Sequence, residues 1–129
     1  MSGERILVID DEDIVRISCK RCLIPEGYVV DVAANGVEGM NLVEEHRYDL
    51  ILTDLKMPDM DGMEFLAKIK EAQPQTKVIM ITGYSTVEHA VKAIKLGAYN
   101  YLEKPFTPDA LLCSVREALG DKGEQSALH

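Results

Sequence analysis

The chain has 129 residues, with 22 acidic against 14 basic side chains and a net charge of −8. That length fits one domain whose core needs neither disulfides nor a structural metal, and the acidic balance argues against non-specific binding of nucleic acid or anionic membrane. No apolar run approaches the roughly 20 residues of a bilayer-spanning helix and no signal-peptide pattern opens the chain, so a cytoplasmic location is expected.

Strand-like and helix-like periods alternate from end to end. Strands are predicted at Arg5 to Ile9, Tyr28 to Ala33, Leu50 to Thr53, Lys77 to Ile81 and Tyr99 to Leu102. Between and after them the pattern predicts helices at Asp13 to Ile24, Gly36 to Glu45, Met63 to Ala72, Thr86 to Leu96 and Pro108 to Leu119. Punctuation agrees with this reading. Pro25-Glu26-Gly27 stops the first helix, Pro74 follows the third, Gly97 stands where a helix end needs a left-handed residue, and Thr107-Pro108 reads as an N-cap followed by a first-turn proline. In the fourth helix Val87, Ala90, Val91 and Ile94 keep the helical repeat and are expected to face the sheet. The alternation describes one α/β domain over 1–119, a doubly wound (βα)5 unit with a parallel sheet. From Gly120 to His129 the chain is polar and aperiodic, and is expected to be a tail or the start of a linker.

Cys19, Cys22 and Cys113 make no disulfide framework. On a helix, Val15, Cys19, Cys22 and Leu23 share one face, so burial explains the first two cysteines better than metal binding does. His46, His89 and His129 have no partners at ligand spacing and are expected at the surface.

Four apolar runs end on polar residues that belong together: Asp10-Asp11, Asp54, Thr82 and Lys104. In the flavodoxin-like strand order 2-1-3-4-5, ligands bind outside the carboxyl ends of the strands where the order reverses, so these residues converge although far apart in sequence. Crowded carboxylates repel and raise one another's pKa unless a cation neutralises them, which points to a hard divalent metal with oxygen ligands. A lysine and a threonine beside them suit a phosphoryl group. Asp54, central in the sheet, is the candidate nucleophile toward phosphorus. A single polar residue after a strand is ordinarily only a loop start or a cap.

Asp10-Asp11, Asp54 followed by Met57-Pro58-Asp59-Met60-Asp61-Gly62, Thr82-Gly83, and Tyr101 through Lys104-Pro105-Phe106 resemble the receiver domain of two-component response regulators, over the span from Arg5 to Leu119. The resemblance implies a phosphorylation-activated signalling switch. Asp54 would accept a phosphoryl group from a histidine kinase's phosphohistidine, a phosphotransfer protein or a small donor such as acetyl phosphate. Asp10, Asp11, Asp54 and the backbone carbonyl of Lys56 would serve Mg2+, with Asp10 acting mainly through water. Thr82 and Lys104 would grip the phosphoryl oxygens, Tyr101 would turn inward as the aromatic switch, and the Lys104-Pro105 bond would be cis. Lys56 and Tyr84, each two residues past a site residue, would border the site and bear on the access of water. Output would pass through the face of the fourth helix, fifth strand and fifth helix, to an output domain, a target protein or a second copy on phosphorylation.

Other readings weigh less. Asp11-Glu12-Asp13-Ile14-Val15 fits the nucleophile motif of haloacid-dehalogenase-type phosphatases, with Asp11 attacking, but leaves Asp54 and the loop Met57 to Gly62 unexplained. A non-phosphorylated interaction module of the same fold would be expected to lack one of the acidic residues, the threonine or the lysine. An EF-hand reading of Asp59 to Gly62 puts Met57 at the first ligand position.

Overall fold

Four of the five predicted strands are rich in Val, Ile and Leu, Tyr99 to Leu102 being the exception, and the central ones carry no alternation because both of their faces are covered. The computed structural model describes residues 3–83 and 86–120. Within them lie β1 Arg5–Ile9, α1 Asp13–Leu23, β2 Val29–Ala33, α2 Gly36–Glu45, β3 Leu50–Asp54, α3 Gly62–Ala72, β4 Lys77–Thr82, α4 Val87–Lys95, β5 Asn100–Glu103 and α5 Pro108–Leu119. All strand pairs are parallel, in the order β2-β1-β3-β4-β5. The flavodoxin-like expectation holds, reversal between β1 and β3 included.

Two apolar layers cover the sheet. On one side Phe65, Leu66 and Ile69 of α3, with Val43 of α2 and Ala93 of α4, pack on Leu7, Ile9, Ile51, Val78 and Met80. On the other, Cys19 and Leu23 of α1 with Leu111, Val115 and Ala118 of α5 pack on Ile6, Val8, Leu50, Leu52, Ile79 and Ile81. Cys19 is therefore a core residue, and its burial pushes the thiol pKa up to about 12. Cys113 is exposed.

Boundaries follow local chemistry. The first helix ends at Leu23 and tightens into a 3-10 turn over Ile24–Glu26 before Gly27, which takes the left-handed conformation with φ 96°. Thr86 and Thr107 are N-caps whose hydroxyls accept from the amides of His89 and Ala110, at 3.0 Å each. Gly97 has φ 111°, as its helix-ending place requires. Gly62 is dictated by contact, since a Cβ there would lie 2.3 Å from the Leu55 carbonyl oxygen. Tyr84 and residues 121–129, with His129 among them, fall outside the described residues.

The fourth helix corrects the expectation of a buried stripe. Val87 is 80% exposed, Val91 47% and Ile94 49%, and Ala93 is the buried residue of α4. Helical periodicity identifies an apolar face but not what that face meets. Here the short Ala93 side chain sets the face on the sheet, and the branched side chains point outward.

Candidate functional site

Strand register brings the site together. Ile9 pairs with Thr53, so Asp10 follows at the level of Asp54, and Asp54 in turn pairs with Ile81, one residue before Thr82. Thr82 pairs with Glu103, and Lys104 continues that ladder by donating its amide to the Thr82 carbonyl at 2.9 Å. Asp54 and Thr82 are thus the last residues of β3 and β4, one step inside the expected loop starts.

Asp10, Thr82 and Asp54 are buried at 0%, 0% and 6% exposure, whereas Asp11 is exposed. Short turns orient two of the carboxylates: Asp10 Oδ1 accepts from the Glu12 amide at 2.9 Å, and Asp54 Oδ1 accepts from the Lys56 amide at 3.1 Å. The Lys104 ammonium stands 2.8 Å from Asp10 Oδ2, 2.9 Å from Glu12 Oε1 and 2.9 Å from Asp54 Oδ2. Burial works against the Lys104 charge, but those three carboxylates outweigh it and hold the pKa well above the ordinary lysine value. Burial also drives the Asp10 pKa up, with the Asp54 charge adding to the effect and Lys104 opposing it. The Lys104-Pro105 bond is cis.

One oxygen each from Asp10, Asp11 and Asp54 lie within 4.8 Å of one another. Asp10 Oδ2 is buried and, although close to Lys104, receives no aligned hydrogen bond. An all-oxygen donor set with an under-satisfied buried carboxylate oxygen fits a hard divalent cation. Four carboxylates, Glu12 included, are gathered around an ammonium that pairs with three of them. The site opens into a cleft of about 770 Å³ bordered by Lys56, Met57 and Gly83. Tyr101, on β5, is half-buried against the α2-α3-α4 layer.

Sequence reasoning missed three participants. Glu12 closes over Lys104 from the lip of the cleft. Arg16, on α1, donates to the Asp10 carbonyl at 2.6 Å and pairs with Asp13, which ties the helix to the end of β1. Asp59 accepts from the amides of Gly36 and Val37 at 2.9 and 3.0 Å, and so reaches across to the start of α2. Asp59 had a legible signal, an acidic residue in a loop with a helix start to satisfy, but its helix lies 23 residues earlier.

Comparison with known proteins agrees with this geometry. A family model, the response regulator receiver domain, matches residues 6–116. The transcriptional regulatory protein ZraR of Klebsiella oxytoca is 43% identical over 122 residues, covering 92% of this chain and 27% of that protein. Sporulation initiation phosphotransferase F of Bacillus subtilis (strain 168) is 35% identical over 119 residues, covering 92% of this chain and 96% of that protein. The crystal structure of a CheY-like response regulator receiver domain protein from Methanospirillum hungatei JF-1 superposes with a TM-score of 0.89 at 39% identity, over 96% of this chain and 99% of that one. The chain spans about a quarter of the length of several of its curated relatives. By match and by architecture, this chain belongs to the response regulator receiver domain family.

Proposed function

We propose that this receiver domain is switched by phosphorylation of Asp54, and that the receiver unit ends at Leu119, with residues 120–129 serving as a tail or the start of a linker. The carrying observation is that the Asp54 carboxylate lies among Asp10 and Asp11 oxygens within 4.8 Å, with the Lys104 ammonium 2.9 Å from its Oδ2. An Asp54 oxygen attacks phosphorus while the donor's P–N bond breaks, the leaving imidazole regaining a proton from solvent, or acetate leaves when acetyl phosphate is the donor. Asp10, Asp11, Asp54 and the Lys56 carbonyl would hold Mg2+, which supplies charge neutralisation for the phosphoryl oxygens. Lys104 exchanges part of its carboxylate pairing for a phosphoryl oxygen, and the Thr82 hydroxyl takes another. Tyr101 then turns inward, and the α4-β5-α5 face changes its population of packings.

The donor is a sensor histidine kinase or a phosphotransfer protein, and the recipient an output domain, a target protein or a second copy. The rival nucleophile Asp11 is exposed, whereas Asp54 is buried against Lys104. Intact-mass spectrometry after acetyl phosphate treatment tests the assignment. Wild type gains one phosphoryl group only with Mg2+, and Asp54→Asn gains none. An Asp54→Asn protein modified as fully as wild type would overturn the proposal.

A further inference from the structure

We infer that Asp59 is a positioning residue for the cation site, acting through the loop between β3 and α3. This rests on the reading that the Lys56 carbonyl joins Asp10, Asp11 and Asp54 in holding Mg2+. The base of the loop is fixed by its own chain: Lys56 and Asp61 form an antiparallel bridge, Gly62 donates its amide to the Leu55 carbonyl at 3.0 Å, and Asp61 caps α3 by accepting from Met63 at 2.9 Å. The tip is fixed from α2. Both carboxylate oxygens of Asp59 are used, one on the Gly36 amide at 2.9 Å and the other on the Val37 amide at 3.0 Å.

These are two of the four amides that a helix start leaves without intrahelical partners, at its electropositive end. Burial is slight, and the two amides hold the Asp59 pKa below the ordinary carboxylate value. Beside this clamp the Met60 side chain lies against Gly36, where an added Cβ would come within 3.0 Å of Met60 Cβ. The approach of helix and loop is therefore close as well as charged. Asp59 stands three positions after Lys56, so only Met57 and Pro58 separate the clamped tip from the Lys56 carbonyl, and release of the tip from α2 would loosen that short segment. A backbone ligand has no side-chain torsions to readjust, and its aim depends wholly on the loop. Groups that orient ligands in this way affect metal affinity without touching the metal.

The experiment measures Mg2+ affinity by calorimetry in the full chain, with amide hydrogen exchange of Lys56 to Met60 in metal-free protein as the second readout. Asp59→Ala is expected to bind Mg2+ roughly tenfold more weakly, the low end for such orienting groups, with faster exchange in the loop. Asp59→Asn keeps one acceptor oxygen and is expected to fall between Asp59→Ala and wild type.

Two controls separate positioning from general damage. Asn35→Ala removes another cap of the same helix, the Asn35 side chain accepting from Glu38 at 2.8 Å, without touching the loop. Glu38→Gln removes a carboxylate at the same helix start. Both are expected to keep wild-type Mg2+ affinity and loop exchange. Unchanged affinity in Asp59→Ala, or an equal loss in Asn35→Ala or Glu38→Gln, overturns the inference while leaving the Mg2+ reading intact. Absence of Mg2+ binding by wild type overturns both.

Discussion

The two ends of the sheet treat charge in opposite ways. Toward the amino-terminal ends of the strands, Asp31, midway along β2, accepts from the Tyr48 hydroxyl at 2.6 Å and from Nη2 of Arg5, the first residue of β1, at 3.1 Å. The Gln73 side chain there makes four hydrogen bonds, donating to the carbonyls of Val43 and His46 and accepting from the Tyr48 amide and the Thr76 hydroxyl. At the carboxyl-terminal ends, Lys104 is shared among Asp10, Glu12 and Asp54. Both ends place polar groups in or beside the core, where unpaired groups are costly. The first end balances Asp31 against Arg5 and satisfies Gln73 from within the chain, although the buried Arg5 Nε makes no hydrogen bond. The second gathers more negative charge than its ammonium balances, and an added cation is what cancels the remainder. A polar cluster whose charges balance within the chain serves stability, and one left with surplus charge serves binding.

Three experiments break or sharpen that contrast. The largest effect is expected at the balanced end. Asp31→Ala leaves the hydroxyl of the fully buried Tyr48 and the Arg5 guanidinium without their carboxylate, at a cost of about 2–3 kcal/mol in urea unfolding. A cost near zero would mean that the cluster is not stabilising, and the contrast would fail.

At the end with surplus charge, Mg2+ at ten times its Kd is expected to stabilise the protein by about 1.4 kcal/mol through mass action. Asp11→Asn should abolish that gain while raising metal-free stability by roughly 0.5 kcal/mol, the scale of one exposed charge interaction. Thermal unfolding with and without Mg2+ reads both signs. Loss of stability in metal-free Asp11→Asn would contradict the surplus of negative charge.

The smallest effect is in pH dependence, and its sign differs between the ends. At Asp31 burial works to raise the pKa, but the hydrogen bonds from Tyr48 and Arg5 outweigh it and the net shift is downward. Its stabilisation is therefore present above the ordinary aspartate range and is lost as pH falls through the depressed value. Asp10 has a raised pKa, chiefly from burial, so its contribution is full below the ordinary range and is lost as pH rises through the raised value. Carboxyl-carbon NMR titration of metal-free protein should show Asp10 protonating before Asp31 on acidification. The reverse order would erase the distinction.

Much of the site is legible in the sequence because its chemistry sits at strand ends. Asp10, Asp54, Thr82 and Lys104 each close an apolar run, and a parallel sheet converts that one-dimensional regularity into convergence. The flanking residues are less legible. Glu12 and Arg16 act from the start of α1, where an acidic or basic residue also satisfies ordinary helix preferences, so nothing local marks them as part of the site. Asp59 works on a helix that precedes it in the chain, and no spacing rule links a loop to an earlier helix start. The apolar repeat of α4 marks a face correctly and a core wrongly. Phe65, Leu66 and Ile69 give α3 the reach to bury its stripe, whereas α4 meets the sheet through Ala93.

The sheet order also sets a timetable. Lys104 comes 50 residues after Asp54 and 92 after Glu12, so a ribosome working at roughly 5–20 residues per second releases the carboxylates seconds before their ammonium. Until then the emerging chain carries an uncompensated acidic tip on β1 and β3. The balancing charge comes directly after β5, an edge strand that adds to β4. Docking the last strand and delivering the ammonium are consequently one event, and the ion pair forms only when the sheet is whole.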